Sequence, residues 1–220
     1  MRQAIADQFG IERGSFVLNF PPRPGCLPAS IFTDDLKIPL KRTARDDPAL
    51  DRGPAFDFSA DLSFDAGAEA NAGVASFFGV KADASKASDA KLEFRNAHAV
   101  EMLGPEMKKR VLADPDAKAA AERKVSPFMV SRAFEGKVSL RLTRKAGMSA
   151  EAWANLKAQP VEVKAGVHVS AGDEVVITVD DPVVFAFEVV RTNYVTTHLA
   201  PGKDPDDVRF VPIPEDLFVR

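Results

Sequence analysis

The side chains best suited to chemistry are scattered along the chain. His98, His168 and His198 stand alone, with none of the His-x-x-x-His or Cys/His spacings that hold a metal ion. No phosphate-cradling glycine loop, dinucleotide fingerprint or Gly-x-Ser-x-Gly elbow occurs. The acidic pairs Asp34-Asp35, Asp46-Asp47 and Asp206-Asp207 lie in loop-like stretches, where solubility accounts for them. Cys26 is the only cysteine, and Arg23 is its one charged neighbour able to lower a thiol pKa. An inert thiol is expected there, with lipidation as the minority role. No catalytic residue, cofactor or metal is expected, and an enzyme built from dispersed residues is the weakest reading.

Composition narrows the class. The chain has 220 residues, 45% hydrophobic content and a formal charge of -3, enough apolar material for a core and too little positive charge for a general nucleic-acid binder. No nucleic-acid partner is expected. A lone cysteine fits a reducing compartment. The start, Met1-Arg2, leads into a mixed segment with no apolar core of a signal peptide, and the longest apolar run, Val183 to Val190, is broken by Glu188 and falls well short of the roughly 20 residues of a membrane helix. The expectation is a protein that is soluble and cytoplasmic at rest.

The elements that must position anything functional are dominated by alternation. From Phe56 the even positions read Phe56, Phe58, Ala60, Leu62, Phe64, Ala66, Ala68 and on to Val74, against Asp57, Ser59, Asp61, Ser63 and Asp65. Period two places the apolar set on one face of an extended strand. After Phe77-Phe78 it resumes at Val80 and ends with Leu92 and Phe94, which describes two long amphipathic arms around an apolar tip. A second pair follows. Phe128, Val130, Phe134, Val138, Leu140 and Leu142 are read as one face of an arm interrupted by Arg132 and Gly136, and Val161, Val163, Val167 and Val169, continuing in phase through Val179, as the other.

Between and around these arms, Arg2 to Phe9 reads as a helix closed by Gly10, and Lys37 to Pro54 as a surface connection. Ala97 to Lys124 reads as helical, with a break or kink at Gly104-Pro105, and Ala150 to Ala158 as a short helix bearing Trp153. Asp180-Asp181-Pro182 is expected to turn the chain into a buried strand from Val183 to Tyr194. A polar linker from Leu199 through Lys203, Asp204, Asp206 and Asp207 then leads to an apolar tail containing Phe210, Ile213, Leu217 and Phe218. The expected fold class is α+β: a twisted antiparallel sheet with packed helices and two latent membrane β-hairpins.

Alternation of this kind also describes a soluble sheet with one solvated face. What separates the readings is arm length, because a strand crosses a bilayer in about 9 to 11 residues and every arm is at least that long. Four arms cannot close a wide barrel, so a pore would need many copies.

The order of parts resembles the gasdermins, the bacterial members above all. The residues that carry the resemblance are the small-residue-rich first hairpin leading to Ala90-Lys91-Leu92-Glu93-Phe94-Arg95, and the segment from Gly172-Asp173 through Val175, Val176, Ile177 and Val179, the proline at 182, and an apolar strand ending in Arg191 and Tyr194. The resemblance implies a pore-forming death effector, monomeric at rest and held inactive by its C-terminal element. Residues 1–199 would be the pore-forming domain, 200–207 a cleavable linker and 208–220 the inhibitory peptide. An activating protease would cut the linker, and protomers would then assemble as a homo-oligomer among the lipids of the inner membrane, in bacteria as a defence against phage. Many bacterial members carry a lipidated cysteine near the start; positions 2–10 hold none here, and Cys26 is offset. The alternative is a soluble α+β interaction module whose tail completes the sheet.

Overall fold

Strand-period patterning becomes one antiparallel sheet. The computed structural model describes residues 1–12, 15–20, 22, 25–32, 39–62, 74, 76–78, 87–115, 128–144, 165–168, 174–195 and 207–213. Among these residues β5 (Phe56–Leu62), β6 (Ala87–Met102), β7 (Phe128–Arg144) and β9 (Glu174–Val195) lie side by side in that order. Three of them are long, at 16, 17 and 22 residues. Short strands complete the sheet. β4 (Leu50–Arg52) flanks β6, while β2 (Ile31–Phe32) joins β7 to β3 (Pro39–Lys41). The outer edge of β9 is covered piecewise, by β8 (Ala165–His168), then β1 (Phe16–Leu18), then β10 (Asp207–Pro212). Covering it matters, since a long open edge is a template for pairing with another chain.

Helix α1 (Arg2–Phe9) ends as its sequence requires, with Gly10 in the left-handed conformation at φ 61°. Helix α2 spans Gly104–Ala113, which corrects the first part of the expected helix, because Ala97 to Met102 are strand, paired with β7 through His98 to Glu101; Asp116 to Lys124 lie outside the described residues. The same residues satisfy period two at Val100 and Met102, and cross-strand pairing decided between the patterns. Pro105 occupies the first helical turn, where its missing N–H costs nothing. Arg110 ties α2 to the connection before β4 through a bidentate ion pair with Asp47. That connection, expected as a surface stretch from Lys37 to Pro54, contains β3 and β4 and buries Thr43.

Two further expectations fail in the second half. Val161 to Val179 is not one arm, because β8 folds back on β9 with Val167 opposite Ile177. Asp180 to Pro182 is not a turn either; β9 runs straight through it. Proline is tolerated there because the position is a bulge: β9 advances from Val179 to Val183 while β7 advances only from Val138 to Gly136.

That bulge belongs to a waist crossing the whole sheet. β6 takes Arg95 to His98 to face what β7 covers from Lys137 to Glu135, with Asn96 at φ 51°. The β5–β6 register shifts at the same level, between Phe56 and Phe58. Gly136 is dictated by proximity, since a Cβ there would lie 2.9 Å from Ala97 Cα and 3.1 Å from the Arg95 carbonyl oxygen. Bulges bend strands and sharpen twist, so the waist divides the sheet into an upper half and a lower half.

Candidate membrane-inserting surface

The lower half consists of β5, the first part of β6, the last part of β7, β8 and the start of β9. Its two faces differ sharply. Ala60, Leu62, Ala90, Leu92, Phe94, Val138, Leu140, Leu142, Val175, Ile177 and Val179 are all buried on one side. On the other, Arg141 bridges Glu93 at 2.7 Å and Glu174 at 2.9 Å across three strands, Ser139 Oγ lies 3.0 Å from Thr178 Oγ1, and Asp61 is 83% exposed. Period-two residues do this automatically once register is set, and opposing pairs such as Leu92 with Leu140 and Leu140 with Ile177 keep like beside like.

Other parts of the chain cover the apolar face. Ile5 and Ala6 of α1, Phe16 of β1, and Val74, Phe77 and Phe78 share its core cluster. Aromatic rings weld the cover to the sheet: Phe94 stacks on Phe58 at 4.4 Å and meets Phe185 at 4.6 Å, while Phe9 lies 4.4 Å from Phe134 and 4.9 Å from Phe56. Val74, Phe77 and Phe78 were expected as the end and tip of a hairpin. Val74 and Phe77 are helical, and the Phe78 N–H donates to the Val74 carbonyl at 3.1 Å. Their apolar side chains are buried against the arms.

One face does not unite the expected residues of the second hairpin. Phe134, Val138, Leu140 and Leu142 belong to the cluster beneath α1, whereas Phe128 and Val130 belong to a different one with Cys26, Leu27, Phe32, Phe187 and Ile213. A bulge between Val130 and Arg132 inverts the phase of β7. Phe64, Ala68, Val80, Val161, Val163, Val169, Leu199, Lys203, Asp204, Asp206, Leu217 and Phe218 lie outside the described residues, as does the expected helix at Ala150 to Ala158.

The described part of the tail is mostly strand. β10 pairs with β9 from Val190 to Val195, beginning at Asp207, which had been assigned to the linker. Phe210 packs against the cluster of Met102, Met107, Val111 and Met129, and Ile213 is 8% exposed in the cluster containing Phe128 and Phe187. Cys26, 1% exposed, borders a cleft of about 650 Å³ walled by Leu27, Arg42, Arg45 and Val184.

Sequence reading missed an ionic cluster around a buried glutamate at the waist. Glu135, 3% exposed, accepts hydrogen bonds from Arg45 Nη2 and Arg52 Nε, each at 3.0 Å, and lies 3.2 Å from His98 Nε2. Burial alone would push its carboxyl up; the Arg52 hydrogen bond and the charges of Arg45 and Arg52, with His98 adding to them, outweigh burial and hold it below the usual glutamate value. The Arg110 hydrogen bond likewise lowers Asp47. Burial raises Glu188 instead, against the opposing charge of Arg132 and a hydrogen bond from Ser15. A depressed carboxyl contributes stability above its unfolded pKa and loses it as pH falls through the folded one. Stability should therefore drop steeply below about pH 4, and Glu135→Gln should flatten that fall. Urea midpoints measured from pH 6 down to 3 check this; equal slopes for both proteins would contradict the assignment.

Among the described residues no group of three or more His, Cys, Asp or Glu is placed to hold a metal ion, and no helix is long and apolar enough to cross a membrane; strands of a β-barrel are a separate matter. No protein-family model matches the chain, and no curated protein matches it. Among solved structures it is similar to a bacterial gasdermin from Bradyrhizobium tropiciagri, at 14% identity and a TM-score of 0.50, over 96% of this chain and 90% of that one. An identity so low speaks to the fold alone, and the fold of this chain is similar to that of a bacterial gasdermin.

Proposed function

We propose that the chain is an autoinhibited pore-forming protein. The observation that carries this reading is the lower half of the sheet: long strands with one apolar and one charged face, the apolar face occupied by α1 and by Val74, Phe77 and Phe78. A bilayer-spanning strand must satisfy its backbone in a closed barrel, present apolar residues to lipid and polar ones to the lumen. Leu92, Phe94, Leu140 and Leu142 would face lipid, and Glu93 and Arg141 the lumen.

In this reading an activating protease cuts within 200–207, residues 208–220 leave, and protomers that were monomers at rest assemble as a homo-oligomer in the inner membrane. In a bacterial cell the outcome is death, and its use a defence against phage. The test is dye release from anionic liposomes. A chain ending at Asp206 should release dye and the intact chain should not; a truncated chain that stays dispersed yet releases nothing at any concentration sinks the idea. The seating of β10 on the edge of β9 also favours a second reading, a soluble interaction module whose tail completes its sheet. That reading expects truncation to cause aggregation with no leakage.

A further inference from the structure

The ionic cluster around Glu135 does something that a stabilising ion pair elsewhere would not. Both of its arginines also anchor backbone at irregular positions, and His98 lies beside a third. Arg45 Nη2 donates to the Pro182 carbonyl at 2.6 Å, inside the bulge of β9, and Arg52 Nη2 to the Arg45 carbonyl at 2.8 Å. His98 Nδ1 lies 3.1 Å from the carbonyl of Asn96, the left-handed residue in the bulge of β6. Glu135 itself precedes Gly136, whose bare Cα lets β6 and β7 touch. Carbonyls at bulges fall out of the regular ladder and need other donors, and Arg45 supplies one to Pro182. Its contacts reach the strands where their register is irregular, at the bulges of β6 and β9.

We infer that Glu135, with Arg45, Arg52 and His98, is a clasp that holds the waist of the sheet in its bulged form and keeps the lower arms folded against the core. This rests on the pore-forming reading for its purpose, though not for its physics. Glu135 is the keystone because both of its oxygens are used and, among the described residues, it is the anion the three side chains share: Oε2 takes Arg45, and Oε1 takes Arg52 and His98. Removing the one buried carboxylate weakens three contacts at once, which is why the effect should exceed loss of a single hydrogen bond.

The experiment is amide hydrogen exchange on the intact chain in solution, comparing the natural protein with Glu135→Gln. Exchange of Lys91 to Arg95 and Lys137 to Leu142 should accelerate about tenfold or more, as expected for loss of charged hydrogen bonds that guard a local opening, while α2 and β10 keep their protection. Arg45→Gln, on a half-exposed side chain, folds more safely and should give a smaller change with the same pattern. Met107→Ala, in the cluster under α2, is the control for general loosening. Unchanged exchange in the arms, or a rise spread evenly over the sheet as in the control, overturns the clasp. The two proposals separate cleanly, because exchange decides the clasp without a membrane, whereas dye release by the truncated chain decides the pore.

Discussion

Ile213→Asp in the uncut chain should make liposomes leak without any protease. Ile213 is the buried end of the described tail, set among Cys26, Leu27, Phe32, Val100, Phe187 and Val189. Burying such a side chain stabilises by about 1.5–3 kcal/mol, and placing a carboxylate there adds a desolvation penalty of at least similar size. The detached tail should thus become about a hundredfold or more commoner. β10 would leave with it and open β9 from Val190 to Val195. Dye release should approach that of the truncated chain, and amides of Arg209 to Val211 should lose protection. Lost protection with silent liposomes would leave the tail a structural strand and transfer support to the interaction-module reading.

Phe94→Ala should be the most destabilising single substitution among the arm residues, by about 3–5 kcal/mol. The ring is fully buried and holds Phe58 and Phe185 at stacking distances, so its loss removes both apolar burial and the ring geometry. Phe58→Ala should cost less, because Phe58 is only half-buried. Urea unfolding of the intact chain gives both numbers. A loss near 1 kcal/mol for Phe94→Ala would mean that the arm is held elsewhere, and the picture of an aromatic weld between arm and core would fail. The size of this term bears on function as well: arms bound so strongly can leave the core only if burial in lipid, or against other copies, replaces what Phe94 loses.

Several elements are legible in the sequence alone. Gly10 closes α1 because glycine adopts the left-handed conformation without penalty. The alternation of Phe58, Ala60 and Leu62, and of Leu92 and Phe94, placed these residues together on the apolar face, where they pack in one cluster. Pro105 marked a boundary, and α2 begins beside it. Errors gathered where alternation changes phase. Phe128 and Val130 share parity with Phe134, yet the bulge before Arg132 sends them to another core. Val175 and Val179 continue the parity of Val167, yet β8 and β9 are separate strands folded together.

Local patterning, then, settled the extended backbone and the buried face of β5 and of the lower parts of β6 and β7, and where glycine and proline allow a helix to stop or start, because those are contests between a residue and its nearest neighbours along the chain. Pairing partners, the bulges of the waist, the seat of β10 and the company kept by Glu135 came only with tertiary structure. Glu135 shows why. Read along β7 it is an ordinary polar residue on an outward face, and nothing within reach in sequence hints at Arg45 or Arg52. A buried carboxylate is tolerable only where distant cations converge on it, and convergence is a property of the folded chain.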